Sequence, residues 1–200
     1  YTLPITELGI TEEDMSQMYP YTIDVARDKR NDQVKGLSWQ SCPGAFMYRA
    51  DLAKKYLGVN NPEEMQVKIS TWDDFLKTAE ELKKASFDKT RMLSSNQDVS
   101  NVFYANKSQP WVDENNTFHM DDTMIQYMEV LKKLEERDLT QKTGTWTAEW
   151  SSDAASDRVF FFFFCTWFLH WTIKSNCGAT FNEDGSVDTS QDMGTYGKWN

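Results

Sequence analysis

The chain is poor in the residues that carry most enzyme and metal chemistry. Its 200 residues include two histidines, three cysteines, five prolines and nine glycines. His119 and His170 have no serine or cysteine at a motif spacing, so no catalytic triad is supported. Cys42, Cys165 and Cys177 contain no C-x-x-C pair, and with two histidines they make a zinc site a poor reading. One disulfide plus a thiol, or three thiols, are both compatible with that count. Basic clusters are missing as well. A net charge of −10 argues against a nucleic-acid partner, because phosphate binding rests on grouped Lys and Arg. No apolar run approaches the roughly 18–20 residues of a membrane helix. The longest spans residues 159–165. No signal peptide is visible ahead of Tyr1, so an export signal or lipid anchor is expected to have been removed or left out. The tract Asn182-x-Asp184-x-Ser186-x-Asp188 alternates oxygen ligands. It lacks the glycine and closing glutamate of a calcium loop, so it reads as a hairpin turn.

Aromatic residues are abundant instead. Eight Trp, eight Tyr and twelve Phe make up 14% of the chain. Most are needed for a core. The remainder can act as flat platforms for the apolar C–H face of a pyranose. With 40% apolar residues, the chain is long enough for one domain with a real core, or for one lobe of a larger protein.

Along the chain, short apolar segments alternate with amphipathic ones. Thr11-Glu12-Glu13-Asp14 reads as a helix start. Residues 22–27 and 34–39 read as a strand pair around a charged turn. Extended segments are expected at 45–48, 90–94 and 158–164. Helices are expected at 48–57, closed by Gly58; at 72–85, behind Thr71-x-x-Asp74; at 122–137, behind Asp121; and at 149–155 and 167–174. Residues 99–105 read as helix. The stripe Met124, Tyr127, Met128, Leu131 and Leu134 is expected to be the buried face of the longest helix. Strands separated by helices imply an α/β layered domain, with 34–39, 90–94 and 158–164 in its sheet.

The order of these pieces is more specific than any one of them. Residues 36–58 read GLSWQSCPGAFMYRADLAKKYLG, and STWDDFLKTAEELKKA follows at 70–85. Further on, Phe160 to Phe164 leads through Cys165-Thr166 into Trp167. Over residues 11–176 this order resembles extracellular solute-binding proteins of ABC importers, of the maltose- and oligosaccharide-binding type. The resemblance implies a periplasmic-binding-protein-like α/β lobe with a central sheet flanked by helices. It implies that residues 1–38 are a remnant of a first lobe and hinge approach, and 39–200 a second lobe. The expected function is binding of a carbohydrate or oligosaccharide for import, by stacking and hydrogen bonding, with closure of two lobes. The expected partners are a sugar and the membrane permease subunits. The expected setting is extracellular, cell-surface-anchored or periplasmic, and no cofactor is implied. By the same resemblance Trp39, Gln40 and Ser41 are ligand contacts at a lobe crossing. Asn96 and Asp98 are contacts after the 90–94 strand, Trp167 is a stacking ring at a helix start, and Trp150 is a further aromatic contact. Two alternatives stand beside this reading: a carbohydrate-active enzyme with paired carboxylates, and an interaction domain without a small ligand.

Overall fold

The structure is a computed structural model that describes residues 2–200. The chain forms two units, which divide between Pro43 and Gly44.

The first unit has little regular structure. A 3-10 turn, Ile5–Leu8, is followed by a helix, Pro20–Asp24, and two short antiparallel strands, Arg27–Asp28 and Gln33–Val34. This corrects two expectations. The first half of segment 22–27, through Asp24, is helical, because Pro20 at the first helical position has a preset φ and needs no hydrogen-bond donor there. The second strand stops at Val34, so residues 35–39 pair with nothing as a strand and belong to no core sheet. The expected helix start at Thr11 forms its reciprocal bonds. The Thr11 amide donates to Asp14 Oδ2 at 2.8 Å, and the Asp14 amide donates to Thr11 Oγ1 at 3.3 Å. Residues 11–18 nevertheless remain a run of turns. Only Met15 among them is buried, and a short helix without a packed face is marginal in water.

The second unit is built on the run of phenylalanines. Strand Phe161–Cys165 pairs antiparallel with Gly44–Tyr48, with Gly44 opposite Cys165 and Tyr48 opposite Phe161. Short bridges of a few backbone hydrogen bonds extend this pair on both sides. Arg91 bridges Val159 in parallel, and Leu93 bridges Thr140 in parallel. Tyr48 and Asn200 exchange two backbone bonds of 2.9 Å on the other edge. The order across the sheet is therefore 140, 91–93, 159–165, 44–48 and 198–200. Three of these segments run parallel, as connections through helices require.

Successive side chains of a strand point to opposite faces. Phe161 and Phe163 meet the helices Trp72–Ala85, Ser100–Ala105 and Asp122–Glu136, through Phe75, Leu82, Phe103, Tyr127 and Leu134. Phe162 and Phe164 meet Trp150, Phe168 and Ile173 on the opposite face. Both faces are covered, which is why a strand with no polar alternation is stable there.

The helix ends follow their caps. Thr71 Oγ1 accepts from the Asp74 amide at 3.1 Å, and Asp121 Oδ1 accepts from the Met124 amide at 3.0 Å. Gly58, at φ 68°, closes the wide π-turn Ala53–Leu57 in the left-handed region that favours glycine. The buried face of Asp122–Glu136 is rotated from the expected stripe. Met124, Tyr127, Val130 and Leu134 are buried, Leu131 is half-buried and Met128 is 60% exposed. The stripe centres on Tyr127 and Leu134, so Val130 replaces Met128 at its flank. Leu134→Ala is accordingly expected to cost about 2–5 kcal/mol. Met128→Ala should stay within about 0.5 kcal/mol. Similar midpoints for the two variants in urea would show the helix turned the other way.

Candidate functional site

Loops that leave parallel strands at their carboxyl ends converge on one edge of a sheet. Here the loops after 91–94, 139–143 and 161–165 do so. Ser95 starts the first. Its side chain accepts from the Gln97 amide at 3.1 Å, and Asp98 returns a bond by accepting the Ser95 amide at 2.9 Å. The second loop passes Gly144-Thr145-Trp146 and enters the helix Ala148–Ser152, capped by Thr147. The third turns from Cys165 directly into Thr166–Phe168.

Between the first two loops lies a cleft of about 320 Å³, lined by Gln97, Ser100, Asn101, Tyr104, Thr145 and Trp146, with Asp98 and Phe164 also on its wall. Trp146 is 59% exposed. It stacks on Trp167 with ring centres 6.1 Å apart and planes 15° apart. It meets Phe164 edge-on at 5.3 Å and Trp150 at 4.9 Å. Its φ is +68°, an uncommon conformation for a bulky side chain. Thr145 Oγ1 is buried and has no hydrogen-bond partner among the described residues. A smaller polar cleft of about 250 Å³ adjoins this one through Gln97, and Asn96, Thr140 and Lys142 line it. Lys142 Nζ is 3.0 Å from Glu135 Oε1, so that cleft's cation is already paired.

Two carboxyl groups lie buried under the aromatic shelf. Asp98 is 2% exposed, and its Oδ1 accepts the Trp150 indole N–H at 3.0 Å. Burial raises its pKa to about 6. Asp153 accepts from Thr143 Oγ1 at 3.0 Å and lies 3.7 Å from Arg158. Burial pushes its pKa up as well.

The residues expected at a site are thus distributed as follows. Asn96, Asp98 and Trp167 belong to the converging loops. Asp98, however, is buried with both oxygens engaged by the Ser95 amide and the Trp150 indole, so it is corrected from a ligand contact to a support of the loop. Trp150 needs a correction. It is fully buried against Phe162, Phe164 and Phe168, so it has no face to offer a ligand and instead backs Trp146. Trp39, Gln40 and Ser41 are in the first unit, where all three are exposed, and Ser41 Oγ is hydrogen-bonded to Tyr21 Oη. Sequence reasoning missed Trp146, Gln97, Thr145 and Tyr104. Reading residues 139–143 as a strand would have flagged Thr145 and Trp146 as its outgoing loop.

No family model and no curated protein matches the chain. Solved structures do. An extracellular solute-binding protein family 1 structure superposes with a TM-score of 0.73 at 15% identity, covering 88% of this chain and 44% of that one. The chain has the fold of extracellular solute-binding proteins. The galacto-N-biose-/lacto-N-biose I-binding protein of the ABC transporter from Bifidobacterium longum, in complex with lacto-N-biose, gives a TM-score of 0.70 at 13% identity. It covers 99% of this chain and 44% of its own. The ABC transporter associated binding protein from B. animalis subsp. lactis, in complex with beta-1,6-galactobiose, gives 0.67 at 21% identity, with the same two coverages. The chain thus spans less than half the length of these solved structures. Among the described residues no helix is long and apolar enough to cross a membrane.

Proposed function

We propose that this chain is part of the extracellular receptor of an ABC importer, and that the Trp146 cleft binds a carbohydrate. The observation that carries the reading is the Trp146–Trp167 stack at the rim of a cleft whose other walls are Gln97, Ser100, Asn101 and Tyr104. A pyranose has an apolar face for a ring and hydroxyls for amides and alcohols. The unpartnered Thr145 hydroxyl favours the same ligand class, since a buried hydroxyl gains most from a ligand that can pair with it. The named binding partners of the similar structures, lacto-N-biose and beta-1,6-galactobiose, are sugars of this kind. Closure over the ligand by a second lobe, and presentation to permease subunits at the membrane, belong to the same proposal. Trp39, Gln40 and Ser41, exposed on the first unit, are proposed as ligand contacts of that unit in their own right.

Calorimetric titration of the chain with neutral galactose-containing disaccharides is the test. Saturable binding without turnover is expected. Trp146→Ala should weaken it by about 1–3 kcal/mol, taking base–aromatic stacking as the analogue. Hydrolysis of the sugar would favour a carbohydrate-active enzyme, and unchanged affinity in Trp146→Ala would remove the cleft from the site.

A further inference from the structure

We infer that Asp98 is a positioning residue for the aromatic cleft: one carboxylate ties the 95–99 turn to the helix Ala148–Ser152 and thereby fixes the ring on which Trp146 leans. This rests on the proposed carbohydrate reading only for its effect on affinity. Asp98 Oδ2 accepts the Ser95 amide at 2.9 Å, while Oδ1 accepts the Trp150 indole N–H at 3.0 Å. The two donors belong to different elements: Ser95 is three residues from Asp98, and Trp150, in the helix, is 52 residues away. Trp150 then touches Trp146 at 4.9 Å, and Trp146 stacks on Trp167. Each link is short, and every member except Trp146 and Trp167 is buried. A carboxylate is required because both oxygens must accept at once. An amide or a protonated acid has only one good acceptor and brings a donor that needs its own partner.

The surroundings make that carboxylate sensitive to protons. No cation pairs with Asp98 among the described residues. The 153–155 turn contributes Asp153, a second buried acid that disfavours the Asp98 charge. Arg158 and Glu149 face Asp153 rather than Asp98. Tyr104 and Tyr127, on the cleft side, are the remaining titratable groups of its wall. Protonation of Asp98 therefore costs one of the two bonds, and the Trp150 indole or the Ser95 amide is released. Acidification is expected to loosen Trp150, then Trp146, and to weaken sugar binding.

The direct observable is the indole ¹⁵N–¹H resonance of Trp150 in the intact, ligand-free chain. It should titrate with a midpoint near pH 6. Asp98→Asn should abolish that titration. At pH 7.5 the same variant should bind the disaccharide probe roughly tenfold more weakly, about the 1.4 kcal/mol that a tenfold change represents, as wild type does at pH 5. Trp150→Phe keeps a ring and removes the donor, so it should reproduce the loss of affinity without its pH dependence even if Asp98→Asn folds poorly. A Trp150 resonance that does not titrate, or titrates unchanged in Asp98→Asn, overturns the positioning role. Wild type that binds no disaccharide while its indole titrates as expected would sink the sugar reading and leave Asp98 as the positioner of a differently used cleft.

Discussion

Removing both acids that hold Arg49, as in Asp51→Ala with Asp157→Ala, is expected to destabilise the chain by about 3–5 kcal/mol. Arg49→Met should cost less. The usual expectation is that the arginine matters most, and the geometry reverses it. Arg49 is 1% exposed, whereas the Asp51 and Asp157 side chains are 38% and 65% exposed. Its Nε and Nη2 form a fork on the two oxygens of Asp51 at 2.8 Å each. Nη2 also reaches Asp157 Oδ1 at 2.7 Å, and Nη1 donates to the Ser156 carbonyl at 2.7 Å. The guanidinium also lies 5.8 Å from the Trp199 ring centre. Without its acids the charge is trapped with one carbonyl and an aromatic face. Without the arginine the acids simply rehydrate, and methionine retains much of the stem's packing. Urea melts of the two variants decide it. An Arg49→Met loss equal to the double change would mean that the guanidinium's own hydrogen bonds are strongly net stabilising, and not merely costly to break from the acid side.

That clasp also gives a physical role to Tyr48-Arg49-Ala50-Asp51-Leu52 within the 36–58 stretch. Arg49 joins the end of one strand to the loop that starts the next, and Asp51 sits two residues on, where the fork can reach it. This segment marks a fold junction and not a ligand contact. Much of the second unit was legible for similar reasons. The caps Thr71 and Asp121, the αL residue Gly58 and the phenylalanine run each act locally, so each could be read locally. The first unit was not. Residues 22–27 have strand-forming composition, but a proline at the helix start outweighs it over so few residues.

The candidate site was legible where a long strand announced it. Trp167 follows five phenylalanines, and the turn at Asn96–Asp98 follows a recognisable apolar segment. Trp146 was hidden because its strand amounts to a single bridge at Thr140, polar and too short to show alternation. Trp150 was misassigned for a different cause. Sequence places a tryptophan near the loop, but only packing against Phe162 and Phe168 determines which of two tryptophans, four residues apart, turns inward.

Phe161→Ala is the second large loss, expected at about 3–5 kcal/mol. The ring is fully buried. It stacks on Phe46 with centres 3.9 Å apart and meets Phe75 and Phe163 edge-on at 5.5 and 4.5 Å. Alanine would leave a hole that three rigid rings cannot close without leaving their own contacts. The sharper expectation concerns pairs. Phe161 and Phe163 share one face of the strand and touch, so a double-mutant cycle between them should give a coupling of about 0.5–1.5 kcal/mol. Phe161 and Phe162 are covalent neighbours but point into separate clusters, one against the 72–85 helix and one against Trp150. Their cycle should close to within about 0.5 kcal/mol. Leucine replacements keep the doubly changed chains folded enough to measure. Strong coupling between 161 and 162 with none between 161 and 163 would mean that the strand lies flat in a single core, and the layered packing that places the three loops on one edge would fall with it.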